Sequence, residues 1–229
     1  MLFVDPLAHS NWSRPATVAG FSESPPNAVL MKFIEDGQRR RSIRRVLDIG
    51  CGAGRNAAPL AALGLDVLGL DLSWPMLQAA RARPLPARGR LDLALSPMDI
   101  IPVQDRSVDA VVAHGIWNLA RSGGEFRRAV CEAARVSRPG AGLFVFTFSR
   151  HTLPDDAPPV AGETFVFTQF SGQPQCFLTE RELVSELLAC GFVRAGEGPL
   201  TEYNRPRPGE VHKGGGPVIY EGAFRRDAV

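Results

Sequence analysis

Residues 46–61, VLDIGCGAGRNAAPLA, leave this chain few architectures to choose from. A short apolar run carries one acid, Asp48, passes through glycines at every second position, Gly50, Gly52 and Gly54, and becomes an alanine-rich stretch of helical pattern. Strand, glycine turn and helix in that order open a parallel sheet with crossover helices. In such sheets ligands sit beyond the carboxyl ends of the strands, where a turn without side chains lets a ligand reach the backbone.

The pattern continues downstream. Short Val/Leu/Ala runs predict strands at 46–49, 67–70, 91–95, 110–113 and 143–148, alternating with helical segments. Gly64 closes the alanine-rich helix, and Ser73 caps the next one with Pro75 in its first turn. Phe126, Ala129, Val130, Ala133 and Val136 form one apolar stripe that stops before Arg138-Pro139-Gly140. Thr179 and Glu182 make a capping box for a helix over 180–190, and 218–224 alternates as a final strand. Upstream, Pro6, Pro15, Pro25 and Pro26, with Trp12 and Phe21 between them, predict an irregular arm. It leads into a helix from Asn27 with Val29, Leu30, Phe33 and Ile34 on one face.

A chain of 229 residues with 45% hydrophobic content can bury one substantial core, so one domain is expected over 1–229. It divides into an arm and helix at 1–44, a ligand-binding core at 45–149, and an insertion with the last strands at 150–229. The 26 basic and 24 acidic side chains nearly cancel and are scattered, which points to neither nucleic acid nor an anionic membrane as a partner. The basic run Arg39, Arg40, Arg41, Arg44 and Arg45 suits a solvated helix end. Cys51, Cys131, Cys176 and Cys190 form no CxxC pair, and His9, His114, His151 and His212 are equally dispersed, so no metal site is expected. With no leader-like start and no apolar stretch near the roughly 18 residues that span a bilayer, the expectation is a cytoplasmic protein with reduced thiols, Cys131 and Cys190 serving as core residues.

The acids define the ligand. A dinucleotide fingerprint needs a glycine at position 55, where this chain has Arg55, which disfavours a pyrophosphate. Asp48 brings an acceptor-only group that suits an ammonium and repels phosphates. Asp71 ends the second strand, the position from which a carboxylate accepts from ribose hydroxyls. Asp99, in Pro97-Met98-Asp99-Ile100, can accept from an adenine amino group with Met98 and Ile100 flanking the ring. Amino acid, ribose and adenine together describe S-adenosylmethionine. Each acid also has a plainer role, Asp48 at a helix N-terminus and the other two as turn residues.

DIGCGAG, LGLDLS followed by Met76-Leu77, SPMDIIPVQDRSVDAVVAH and EAARVSRPGAGLFVFTFS resemble the successive motifs of class I S-adenosylmethionine-dependent methyltransferases of the UbiE-like small-molecule group, over residues 45–149. The resemblance implies an α/β, Rossmann-like, seven-stranded and mostly parallel sheet with helices on both faces. Its last strand is antiparallel, and 192–203 and 217–225 hold the final two strands. It also implies that Gly50, Cys51, Gly52, Gly54 and Asn56 surround the methionine moiety, and that Asp71 and Leu72 take the ribose. Met76, Met98, Asp99 and Ile100 border the adenosine, and His114-Gly115 lines the methionine side. The implied reaction moves a methyl group to a heteroatom of a small-molecule acceptor, leaving S-adenosylhomocysteine. The overall layout is similar to that of tellurite and thiol methyltransferases.

For the acceptor, His114 is the leading base candidate at a strand's carboxyl end, with a pocket-wall role as the alternative. Trp117 and Asn118 of GIWNLA are expected to border the pocket, with a core tryptophan as the alternative, and so is His151 just past the fifth strand, a weaker base candidate with a plain loop role as its alternative. In ETFVFTQFSGQPQCFLTE, alternation puts Phe165 and Phe167 on one face and Phe170 opposite, as in a lid hairpin over the substrate, with core packing as the alternative. Two further readings remain, a nicotinamide oxidoreductase on a similar sheet and a non-catalytic ligand-binding scaffold.

Overall fold

The computed structural model describes residues 5–41, 43–84, 88–205 and 216–227; His212 lies outside them. Its centre is β1 (Arg45–Ile49), whose Val46, Leu47, Asp48 and Ile49 are all buried. Parallel neighbours flank it on both sides. β2 (Asp66–Asp71) and then β3 (Arg90–Leu95) lie on one side, β4 (Val108–His114) and then β5 (Ser137–Phe148) on the other. β10 (Ile219–Arg226) runs antiparallel to β5. β8 (Phe192–Arg194) and β9 (Thr201–Tyr203) both pair with β10, so the penultimate strand comes in two short pieces. The reversed last strand matches the expectation.

The central strands β1, β4 and β5 are apolar on both faces because helices cover them twice, whereas no residue of the edge strand β3 is buried. Leu47, Ile49, Val111, Ala113, Leu143 and Val145 face α5 (Gly123–Val136) and α6 (Glu180–Ala189). Val46, Val67, Ala110, Val112 and Phe144 face α2 (Ala28–Arg41) and α3 (Ala57–Ala62). The register Val46↔Ala110 and Leu47↔Val111 keeps each set on its own side. The stripe Phe126, Ala129, Val130, Ala133 and Val136 is wholly buried, and Thr179 and Glu182 form the reciprocal capping box. Ser73 accepts from the Met76 N–H at the start of α4 (Trp74–Arg81). No described helix is long and apolar enough to cross a membrane.

Two expectations are corrected. The arm is ordered: Asn11–Ser13 make a 3₁₀ turn and Pro15–Glu23 form α1, with Pro15 in its first turn where a missing N–H does no harm. Arg83, just past α4, donates to the carbonyls of Phe21 and Ser22 at the far end of α1, which satisfies groups a helix end leaves open. Cys131 and Cys190 are joined in a disulfide, with Cα atoms 5.3 Å apart. Cys131 stands off the buried stripe on the exposed flank of α5, which puts it within reach of the end of α6 and makes it a cross-link instead of a core residue.

Candidate functional site

The chain leaves β1 through three left-handed glycines, Gly50, Gly52 and Gly54, with φ of +69°, +53° and +72°. A side chain at any of them would be strained. At Gly50 a Cβ would also lie 2.7 Å from the Ile116 side chain. Over Gly52 the only neighbour within 4 Å is the Met76 sulfur at 3.8 Å, so the turn is open where a ligand would meet the backbone. The Cys51 N–H continues the sheet by donating to the Leu70 carbonyl, and the buried Cys51 thiol has its pKa pushed well up by desolvation and by nearby Asp48 and Asp71.

Asp71, at the end of β2, fastens this turn: the Gly52 N–H donates to its Oδ2 and the Ser73 N–H to its Oδ1, both at 2.8 Å. Burial raises its pKa, and the donors from Ser73, Gly52 and Leu72 oppose the rise without cancelling it. Leu72, half-buried, follows directly. Asp48 is different. It is 1% exposed, its Oδ2 has no hydrogen-bond partner among the described residues, and desolvation together with the charge of Asp71 raises its pKa to about 7 against the pull of Arg55. A buried carboxylate oxygen without a donor is a poor element of a fold and a good half of a binding site for a cation.

Further along the edge the expected adenine wall is only partly assembled. Asp99 Oδ2 is held by Arg128 on α5, at 3.1 Å from Nε, so an adenine amino group would share that carboxylate. Met98 is buried in the α5 core, whereas Ile100 is 68% exposed. Asn56, buried beside the turn, accepts the Asn27 N–H at 3.0 Å and so ties the start of α2 to the glycines. The N-terminal arm reaches the same place: Ser13 and Ser73 share a hydrogen bond of 3.0 Å, and Asp5 accepts from the Trp74 N–H.

His114 ends β4 stacked on Phe146, ring centroids 4.1 Å apart. Its Nε2 faces Asn27 Nδ2 at 3.2 Å and Arg55 at 3.4 Å, and desolvation with the Arg55 charge lowers its pKa to about 4. With Nε2 set against two donors and its pKa lowered, His114 suits the pocket-wall role better than that of a base. Gly115 follows with φ +75°. Asn27 Nδ2–H also donates to Glu221 Oε2 at 2.7 Å, and the Tyr203 hydroxyl donates to Glu221 Oε1 at 2.7 Å. Asn27, Arg55, Glu221 and Tyr203 thus join the site without having been expected there. A carboxylate inside the alternating run of β10 was the one local sign of it.

The expected acceptor residues scatter. Trp117, fully buried, packs edge-on against Phe126 in the α5 core; among the described residues its Nε1 has no partner, nor has Oδ1 of Asn118 beside it, 2% exposed. Phe165 and Phe167 do not share a face. β6 (Val166–Phe167) pairs with β7 (Gln175–Cys176) for only two residues. Phe165 packs on Phe126 at 5.4 Å, and Phe167 joins Phe177 in a separate cluster with Leu153. The hairpin exists, but both aromatics are buried. His151, in the 3₁₀ turn Arg150–Thr152 after β5, pairs through Nδ1 with Glu202 Oε1 at 2.6 Å.

Residues 47–146 match the family model described as a methyltransferase domain. A demethylmenaquinone methyltransferase of Renibacterium salmoninarum is 33% identical over 155 residues, 61% of this chain and 62% of that protein. A ubiquinone/menaquinone biosynthesis C-methyltransferase of Syntrophotalea carbinolica is 37% identical over 48% of this chain and 46% of its own length. The chain thus spans between about half and three fifths of these relatives. Among solved structures, a SAM-dependent methyltransferase from Methanosarcina mazei superposes with a TM-score of 0.64 at 20% identity, covering 90% of this chain and all of that one. A 1,6-didemethyltoxoflavin-N1-methyltransferase of Burkholderia thailandensis, bound to S-adenosylhomocysteine, gives 0.60 at 18% over 94% of this chain and 80% of its own. At such identities these two structures establish the fold.

Proposed function

Because the chain belongs to the class I S-adenosylmethionine-dependent methyltransferase family, we propose that it methylates a heteroatom of a small-molecule acceptor by in-line displacement. One observation carries this: Asp48 Oδ2, buried and unpartnered beside three left-handed glycines. S-adenosylmethionine supplies, when bound, a sulfonium methyl group and an amino acid end whose ammonium Asp48 can take. The turn through Gly50, Gly52 and Gly54, bare of side chains, lets that end approach the backbone, Asp71 fits the ribose, and Met98 with Asp99 the adenine edge. Cys51, Asn56, Leu72, Met76, Ile100 and Gly115 complete the surround. The protein's work is to hold the reactants in line and keep water out, which is the main lever on such a displacement.

A nicotinamide cofactor is disfavoured by Arg55 at the third glycine and by unpaired Asp48 where phosphates would lie. Carbon as the accepting atom is a second reading, favoured by the C-methyltransferase relative. The test is transfer of labelled methyl to a panel of amines, phenols, carboxylates, thiols, metalloids and quinols, with products identified by mass spectrometry. Heteroatom methylation is expected; carbon-only products would select the second reading, and cofactor binding without any product the scaffold reading.

A further inference from the structure

A second imidazole, His151, stands on the same carboxyl edge of the sheet, just past the end of β5. Ser149 closes β5; its N–H donates to the Val218 carbonyl, and it is bridged to Leu178, so the turn Arg150–Thr152 rises from a fixed point on the carboxyl edge of the sheet. That edge also carries the glycine turn and, on the neighbouring strand, His114-Gly115. Glu202 on β9 sits opposite Tyr220 of β10 and reaches back across the strand ends. Its Oε1 accepts from the Ser149 hydroxyl at 2.7 Å and contacts His151 Nδ1 at 2.6 Å.

This contact decides the tautomer. A carboxylate can only accept, so neutral His151 carries its proton on Nδ1 and its lone pair on Nε2. Nε2 makes no hydrogen bond among the described residues, and the side chain is 34% exposed, open to a ligand. Burial tends to raise the Glu202 pKa, but the donors Ser149 and His151 and the charge of Arg205 outweigh it and hold the carboxylate ionised below its ordinary value. The other charged or titratable groups around this pair are Arg205, 3.1 Å from Glu202 Oε2, Arg150 in the same turn, Tyr220 on β10 and Glu180 at the head of α6. Arg150 lies with its guanidinium over Phe167 and its donors on the Leu153, Pro154, Asp155 and Ala157 carbonyls. Arg205 offsets Glu202 and Arg194 offsets Glu180, so no uncompensated negative charge at this pair opposes a developing oxyanion at Nε2.

We propose that His151 is the general base of this enzyme, held by Glu202 and Ser149 as positioning residues, and that the acceptor it serves is an un-ionised phenol or enol. The proton of the acceptor hydroxyl passes to His151 Nε2, the O–H bonding pair stays on the oxygen as the nucleophilic lone pair, and the imidazolium, facing Glu202, later returns the proton to solvent. This rests on the methyltransferase reading above and identifies the acceptor class and the base for that same site.

The test uses the full chain with labelled S-adenosylmethionine and two phenols of different acidity, hydroquinone and 4-nitrophenol, at a pH where only the second is ionised. His151→Gln should lower kcat on hydroquinone by about 10²–10⁴ and on 4-nitrophenol by less than about tenfold, since the ionised phenol needs no base. KM for the cofactor should not change. Glu202→Gln should give a smaller loss on hydroquinone, again with little change on 4-nitrophenol, because the imidazolium loses its counter-charge and its orienting partner. Nitrogen-15 NMR of labelled histidines, which needs no turnover, should show neutral His151 protonated at Nδ1 alone, a preference weakened in Glu202→Gln. Equal losses on both phenols, an Nε2-protonated His151, or a wild-type protein that binds the cofactor and methylates neither phenol would each overturn the proposal while leaving the methyltransferase reading in place. Absence of cofactor binding would overturn both.

Discussion

The two halves of the carboxyl edge are built differently. The half over β1 and β2 is made by neighbours in sequence: Asp48, Gly50, Gly52 and Gly54 lie within one turn, and Asp71 reaches Gly52 across a separation of 19 residues. The half over β4, β5 and β10 is made by distant residues. Asn27 meets His114 across 87 positions and Glu221 across 194, and His151 meets Glu202 across 51. Under the proposed function, the methionine and ribose contacts fall in one local unit, while the acceptor side depends on how the last strands and the first helix close on the sheet. A fold shared by many acceptors would vary the second half and keep the first.

The sharpest way to break this contrast is Trp117→Ala. If Trp117 belongs to the α5 core, its loss should reduce stability by about 3–5 kcal/mol in urea unfolding. A variant of unchanged stability but low turnover would return Trp117 to the acceptor pocket. Next in size, removing the Cys131–Cys190 bridge by mild reduction should lower stability by about 2–4 kcal/mol and leave cofactor affinity untouched, since the bridge joins α5 to the end of α6, away from the glycine turn. A reduced protein with weakened cofactor binding would show that the two halves are coupled. Smaller again, Asp71→Ala should weaken S-adenosylmethionine by tenfold or more, as each charge-assisted hydrogen bond contributes roughly 1.5–3 kcal/mol. Calorimetry showing unchanged affinity would confine Asp71 to holding the Gly52 and Ser73 amides.

What could be read from the sequence follows the same division. Ser73, Thr179 with Glu182, and the stripe from Phe126 to Val136 are local signals with local causes, and the structure keeps them. Prolines hid α1, because Pro15 looks like a breaker and acts as a first-turn residue. Alternation misplaced Phe165 and Phe167, since a period of two applies only along a strand and β6 is two residues long. GIWNLA lies past the strand end, where no period says which way Trp117 turns. The disulfide spans 59 positions, and a spacing of that size has no signature in one sequence. Glu202 and Glu221 became site residues only through β9 and β10 pairing, which hydrophobic pattern does not specify for three-residue strands.

The central claim is that the glycine turn and buried Asp48 hold the ammonium end of S-adenosylmethionine. Asp48 has a folded pKa of about 7 against an ordinary 3.8, so in the free protein the fold favours its protonated form. That contribution is full below about pH 4 and is lost as pH rises towards 7, where the unpaired charge becomes a burden. An ammonium reverses the balance by binding the ionised form. Calorimetric titration of S-adenosylmethionine between pH 5 and 7, where its amino group stays an ammonium, in buffers of different ionisation enthalpy, tests this directly. The account predicts low-micromolar affinity, about 7–8 kcal/mol, that tightens as pH rises from 5 to 7, with more protons released at pH 5 than at pH 7, and both effects absent in Asp48→Asn. Binding that is independent of pH, or a preference for NAD over S-adenosylmethionine, would contradict it.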